Sequence, residues 1–161
     1  MINLENLNKE QNSMETPQEL INSTIIKVED ILKEAYPDYL SFGEGQFTLS
    51  RGSTQLMINV RPFTDSETCI EVLATVVTGG NISQDIMKFL LRKNAELHFG
   101  AFGILFDDTI IFQYSVAGSN IDKNELLTSI NAVGIISDHY DDELARMSGG
   151  KRAIDVSPED E

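Results

Sequence analysis

The side chains of this 161-residue sequence that invite a chemical reading are two histidines, a single cysteine and a few acidic and glycine-rich runs. His139 stands in the run Asp138-His139-Tyr140-Asp141-Asp142-Glu143. On a helix it shares a face with Asp142 and Glu143, three and four positions on. Zinc needs three or four ligands held together, and a solvated acidic helix face accounts for the run more simply. His98 lies apart, at the entry to an apolar stretch. Cys69 has no histidine near it in sequence, whereas a thiol nucleophile needs a base within hydrogen-bond reach. It reads as a small, partly buried residue. The carboxylates of Glu29-Asp30 and of Asp138–Glu143 would do glycosidase-type work only across a cleft, and no spacing places one between them. Thr78-Gly79-Gly80-Asn81 falls between a strand and a helix start, where backbone amides can hold an anion. Neither it nor Gly43-Glu44-Gly45 has the glycine or lysine offsets of a nucleotide loop, so both read as chain reversals. No catalytic, cofactor-binding or metal-ligating residue is assigned, and no cofactor is expected.

Composition narrows the partners. The formal net charge is −14, which opposes binding to nucleic acid, where Lys and Arg must displace counterions, and to anionic membrane surfaces. It suits basic or apolar partners. The longest nearly apolar runs, such as Leu73–Val77, fall far short of the roughly 18–20 residues of a membrane span. The first 17 residues lack the basic start and apolar stretch of a secretory signal. A lone cysteine forms no internal disulfide, so a reducing, cytoplasmic setting fits.

The length argues for one domain, and 41% hydrophobic residues suffice for a core. Residues 1–15 and 151–161 read as a disordered arm and a disordered acidic tail. Each end carries −2, which leaves −10 on the single domain expected over residues 16–150. Thr16, Pro17 and Glu19 form a helix-start pattern, and Ile21, Ile25, Val28, Leu32 and Ala35 follow at helical spacing until Pro37 ends the run. Strands are expected at residues 46–50, 55–61 and 68–77, the second with Leu56, Ile58 and Val60 alternating against polar neighbours. A second helix, capped by Asn81 or Ser83, runs to about Ala95. Strands at about 100–106 and 109–116 follow, joined by a tight turn at Asp107-Asp108. A third helix opens near Ser119–Glu125, with Leu127, Ile130, Val133, Tyr140, Leu144 and Met147 as its inner stripe, and stops at Gly149. The order α-β-β-β-α-β-β-α, with short turns between neighbouring strands, implies an α+β fold in which helices pack on an antiparallel sheet.

This layout, and the stretches FLLRKNAELHFGAFGILFDDTIIFQYSV (residues 89–116) and NELLTSINAVGIISDHYDDEL (residues 124–144), resemble the YbjN-like family, whose fold is shared with the dimeric type III secretion chaperones. Asn94, Gly100-Ala101 and Asp107-Asp108 stand where that family has an asparagine ending the second helix, small residues opening a hairpin, and its turn. The resemblance covers most of residues 17–147. It implies a non-enzymatic, often dimeric domain that binds segments of other proteins.

The residues themselves point the same way through an apolar surplus. In the second helix Ile82, Ile86, Met87, Phe89, Leu90 and Leu91 span roughly 200° at 100° per residue, whereas a helix lying on one sheet needs an apolar stripe of a little over about 100°. In the last strand Ile110, Phe112, Tyr114 and Val116 share one face, while Ile111 takes the other near Leu105 and Leu73. The reading is a cytoplasmic, chaperone-like adaptor that forms a homodimer. Met87, Leu90 and Leu91 would supply the dimer contact, and sheet surface near Met57, Leu73, Leu105 and Ile111 would receive an unidentified protein partner. The alternatives are a small-ligand or regulatory domain with an apolar pocket, and a hydrolase with a scattered site.

Overall fold

The computed structural model describes residues 15–156. Helix α1 spans Gln18–Ala35, then β1 Leu40–Gly43, β2 Gln46–Arg51, β3 Thr54–Pro62 and β4 Thr68–Thr78. Helix α2, Gln84–Glu96, is followed by β5 Ala101–Ile104, β6 Ile110–Ala117, helix α3 Lys123–Ser148, β7 Lys151–Arg152 and a 3-10 turn at Ala153–Asp155. Among the described residues the strands form one antiparallel sheet in the order β1-β2-β3-β4-β6-β5, with β7 against the end of β4.

The α+β expectation holds, with the helices gathered on one face of the sheet. Leu56, Ile58 and Val60 of β3 meet Ala74, Val72 and Ile70 of β4 in register, and these in turn meet Phe112, Tyr114 and Val116 of β6. This period-two set is the helix-facing half of the sheet. Val28 and Leu32 of α1, Ile86 and Leu90 of α2, and Leu126, Ile130, Val133 and Leu144 of α3 close over it. The central helix, α3, has reciprocal capping: Asp122 Oδ1 accepts from Glu125 N at 2.8 Å, and Asp122 N donates to Glu125 Oε2 at 3.3 Å. Its inner stripe begins at Leu126, with Leu127 only half-buried and Met147 exposed, because the helix starts one position away from the phase that a Leu127 stripe requires.

Three features differ from the sequence expectation. Thr16 does not cap α1. Its hydroxyl donates to Thr64 O at 2.6 Å and accepts from Phe63 N at 2.8 Å, tying the chain to the β3–β4 loop. The strand β1 was not anticipated, because Leu40-Ser41-Phe42-Gly43 is short and its side chains are all exposed. The expected disordered tail is in part structured, since Lys151 and Arg152 pair with Thr78 and Val77. The remainder of that tail, residues 157–161, and residues 1–14 of the expected arm lie outside the described residues.

Glu67, one residue before β4, holds two loops together. Its carboxylate accepts from the backbone N–H of Thr68 at 2.9 Å, Gly118 at 3.1 Å and Ser119 at 2.7 Å, and from Ser119 Oγ at 2.8 Å. Beneath it the Thr24 and Thr68 hydroxyls meet at 2.9 Å in the core, so closely under Gly118 that a Cβ there would stand 3.0 Å from Thr24 Cγ2. The amide of Ser119 is the main cause holding the Glu67 carboxyl below the usual range, against an opposing effect of burial. A carboxylate depressed in this way stabilises the fold fully above its unfolded pKa and loses that contribution as pH falls through the folded value. Glu67→Gln is therefore expected to lower the denaturant midpoint at pH 7. The gap from the parent protein should narrow as the buffer is taken below the ordinary carboxylate range, and parallel urea titrations from neutral to acid pH measure it.

Candidate functional site

Alternation that fills one face of the sheet leaves the other to a second set of side chains. On that open face Met57 lies opposite Thr48 on one side and Leu73 on the other, and Leu73 lies opposite Gln113. One row along, Thr75 meets Ile111, which meets Gly103. The face is graded. Towards Pro62 it is polar, with Asn59 beside Glu71 and an ion pair of 3.4 Å between Arg61 Nε and Glu71 Oε2. Towards the β5–β6 hairpin it sinks into a hollow of about 740 Å³ with a mixed lining, in which Thr48, Gln55, Thr78 and Asp107 stand beside a few apolar groups. Met57 and Leu105 line it together with Thr75, Thr109, Ala153 and Val156.

The four residues nominated for partner contact are gathered at this end of the sheet but are not equally available. Met57 and Leu105 are 41% and 42% exposed, whereas Ile111 is 6% exposed and Leu73 half-buried. Ile111 is shielded because Gly103, directly across, has no side chain and brings the hairpin close: a Cβ there would lie 3.3 Å from Ile111 Cγ1. Ile111 is therefore not part of the lining of the hollow.

The dimer candidates divide in the same way. Ile86 and Leu90, four apart on α2, face inward at 1% and 4% exposure, so Leu90 belongs to the core and is not a surface contact. Its turn of helix faces β5 and α3, which use it to cover Phe102. Met87 and Leu91, also four apart, form an outer ridge at 43% and 70% exposure. Phe89 lies on the other flank of the inner pair, away from the ridge, edge-on to Tyr140 at 6.2 Å.

The two edges of the sheet also differ. Along β5 the outward N–H of Phe102 donates to Asn94 Oδ1 at 2.7 Å, and Asn94 Nδ2 donates to Phe102 O at 3.1 Å. One side-chain amide thus takes the place of a neighbouring strand and closes that edge. The family resemblance marks Asn94, but the sequence does not reveal this role. At the opposite edge β1 has no such cover, and Leu40 and Phe42 are 58% and 67% exposed.

The residues first considered for chemistry are dispersed. His98 and His139 are exposed, and His139 lies edge-on to Tyr140 at 4.7 Å. Among the described residues no three His, Cys, Asp or Glu side chains gather as metal ligands would. Cys69 is on the polar part of the open face, and burial, followed by the charge of Glu71, pushes its thiol pKa up, which keeps it protonated near neutrality. Asp141 is raised mainly by burial in α3. No helix among the described residues is long and apolar enough to cross a membrane.

A sheet clothed by helices on one side, with a hollow at one end of its other face, defines an α+β scaffold with one open sheet face. Residues 24–156 match the family model TY-Chap1, described as T3SS (YopN, CesT) and YbjN peptide-binding chaperone 1, and the chain belongs to that family. Its fold is also similar to a chain in the crystal structure of the ExsC–ExsE complex, with a TM-score of 0.56 and 13% sequence identity over 76% of this chain and 93% of that one. At that identity the likeness is one of fold. No curated protein matches the sequence significantly.

Asn94→Ala should reopen the β5 edge. The expected cost is about 1–3 kcal/mol for leaving the Phe102 backbone groups without partners, read from urea unfolding. The Phe102 amide should become the fastest-exchanging position of β5 in hydrogen exchange, while the amides of β3 and β4 stay protected.

Proposed function

We propose that this protein is a cytoplasmic, non-enzymatic chaperone-like adaptor that works as a homodimer and buries an apolar segment of another polypeptide on its open sheet face. The observation that carries the reading is the hollow at one end of the open sheet face, with the exposed side chains of Met57 and Leu105 in its lining. Two comparisons support it: the family is described as peptide-binding chaperones, and the similar fold occurs in a complex of two named proteins.

The mechanism is reversible burial. An apolar patch of about 400 Å² at roughly 25 cal/mol per Å² gives about 10 kcal/mol. That is comparable to the roughly 4–15 kcal/mol lost when two molecules associate, so capture is releasable. The charge of −14 keeps free copies apart and draws basic flanks of a partner toward the sheet. Self-association would use the ridge of Met87 and Leu91, two large apolar side chains that are 43% and 70% exposed among the described residues.

Met57→Glu places a charge at the mouth of the hollow. Tagged protein should retain partners from an extract of its own cells, and the variant, with unchanged circular dichroism, should lose them. An identical captured set from both proteins would remove the open face as the binding site. Light scattering at about 50 µM, a concentration at which micromolar association is well populated, should give twice the chain mass. Met87→Glu with Leu91→Glu should halve it, and a strict monomer for the parent protein would end the dimer reading.

A further inference from the structure

Asn94 fixes how α2 lies against the sheet. Its side chain holds the Phe102 backbone of β5, and Leu91 and Met87 follow on the same stripe of the helix, three and seven positions back. The two elements run in opposite directions. α2 ends at Glu96 and β5 opens at Ala101. The far end of the hairpin is tied to the strand that leads into α2, where the Thr78 and Thr109 hydroxyls lie 3.4 Å apart. From Asn94 back to Met87 the helix rises about 10 Å, and from Phe102 on to Phe106 the chain advances about 13 Å. The ridge of Met87 and Leu91 therefore runs beside the β5 edge and ends level with the β5–β6 turn.

That turn is a braced projection. Leu105 N donates to Thr109 O at 2.9 Å, Asp108 N donates to Leu105 O at 3.0 Å, and Thr109 N donates to Asp107 Oδ1 at 3.1 Å. At its tip Phe106 is fully exposed, and Ile104 is 39% exposed. Ile104, Phe106, Met87 and Leu91 thus form one apolar band along this side of the molecule. Charge divides the band in two. Asp107 and Asp108 flank the tip, both exposed. Helix α2 carries Lys88, Arg92 and Lys93 against Asp85 and Glu96, a surplus of one positive charge in a chain of −14. Lys93 is engaged with Glu96 at 2.7 Å. Lys88 and Arg92, four apart on the stripe next to Met87 and Leu91, are exposed and make no ion pair among the described residues.

We propose that the β5–β6 turn is a docking prong for a second copy of this chain: Phe106 of each protomer lies against the partner's Met87 and Leu91, with Asp108 opposite the partner's Lys88 and Arg92. This rests on the homodimer reading and deepens it. Two side chains on α2 fall well short of the roughly 800 Å² per partner that a stable interface buries, and the prong supplies an aromatic anchor of the kind that dominates such contacts. Because Asn94 occupies the β5 edge, the contact is made by side chains and not by strand pairing. A two-fold axis repeats it, so both prongs and both ridges are used at once and the assembly closes at two. The acid–base match explains how a chain of this charge joins itself here: the acidic prong of one copy meets a helix of positive sign on the other.

The chain has no tryptophan, so Phe106→Trp places a single fluorescent reporter at the tip. Its emission should be that of a buried indole at about 50 µM and should move to that of an exposed one on dilution, in step with the fall in mass by light scattering. Phe106→Ser should raise the dissociation constant about tenfold or more, with circular dichroism unchanged. Charge exchange then locates the contact. Asp108→Lys, and separately Lys88→Glu with Arg92→Glu, should each weaken the dimer about tenfold or more, because like copies then set equal charges against each other. Asp108→Asn, which suits the left-handed turn at φ 63°, should weaken it to a smaller degree. An equimolar mixture of the two charge-reversed proteins should associate more tightly than either alone, since prong and helix are then of opposite sign in both contacts. If the parent is dimeric and the indole stays exposed, or Phe106→Ser leaves the dissociation constant unchanged, the prong is overturned and the dimer reading stands. A mixture no tighter than its components overturns the prong equally. A strict monomer for the parent removes both.

Discussion

The whole molecule follows from one-sided burial of an antiparallel sheet. Strand residues alternate between faces with a period of two, and three helices supply enough apolar surface to seal one face. Val28, Leu32, Leu126, Ile130, Val133 and Leu144 are all fully buried against that side. Nothing of comparable size is left for the other. The hydrophobic effect thus sets the fold by filling one half of the sheet and, among the described residues, leaves the other half without a helix over it. The gradient along the open face, from the Arg61–Glu71 ion pair at one end to the Met57 and Leu105 hollow at the other, marks where water is cheapest to remove.

This division of labour explains why residue types associated with catalysis are scattered. Asp138 and Asp142 of α3 face solvent while Asp141 is buried, and Glu67 spends its donors on joining the β3–β4 loop to the β6–α3 loop. It is a structural clamp, and its lowered pKa reports hydrogen bonds that hold backbone in place. A perturbed carboxylate marks a functional site only when a cleft accompanies it, and here the hollow lies elsewhere.

Much of the fold was legible in the sequence because its signals are local. Leu56, Ile58 and Val60 alternate, Ser83 caps α2 by accepting from Ile86 N at 3.2 Å, and Asp108 supplies the positive φ of 63° that a tight turn requires. What escaped was decided by contacts distant in sequence. Thr16 carries a helix-start pattern, yet its hydroxyl finds better partners 47 and 48 positions away. The edge strand β1 has no buried side chain to produce a pattern. Lys151 and Arg152 are too polar and too few to read as a strand, and they form one because Gly149 and Gly150 deliver them to the open end of β4. The surplus on α2 was read correctly in amount, but Leu90 could be assigned to the inside only once β5 and α3 were in place. Of Met57, Leu73, Leu105 and Ile111, only Met57 and Leu105 line the hollow, because Ile111 is 6% exposed and packs against Gly103.

Asn94 has a consequence beyond local stability. An unprotected strand is a template on which further copies can stack without limit. By satisfying Phe102 from the side, this single amide leaves the sheet with one sticky margin instead of two. A sheet blunted at one side cannot add neighbours in both directions, so open-ended stacking has no continuous path through the molecule. One residue that lies outside the sheet thus guards it against growth into fibres.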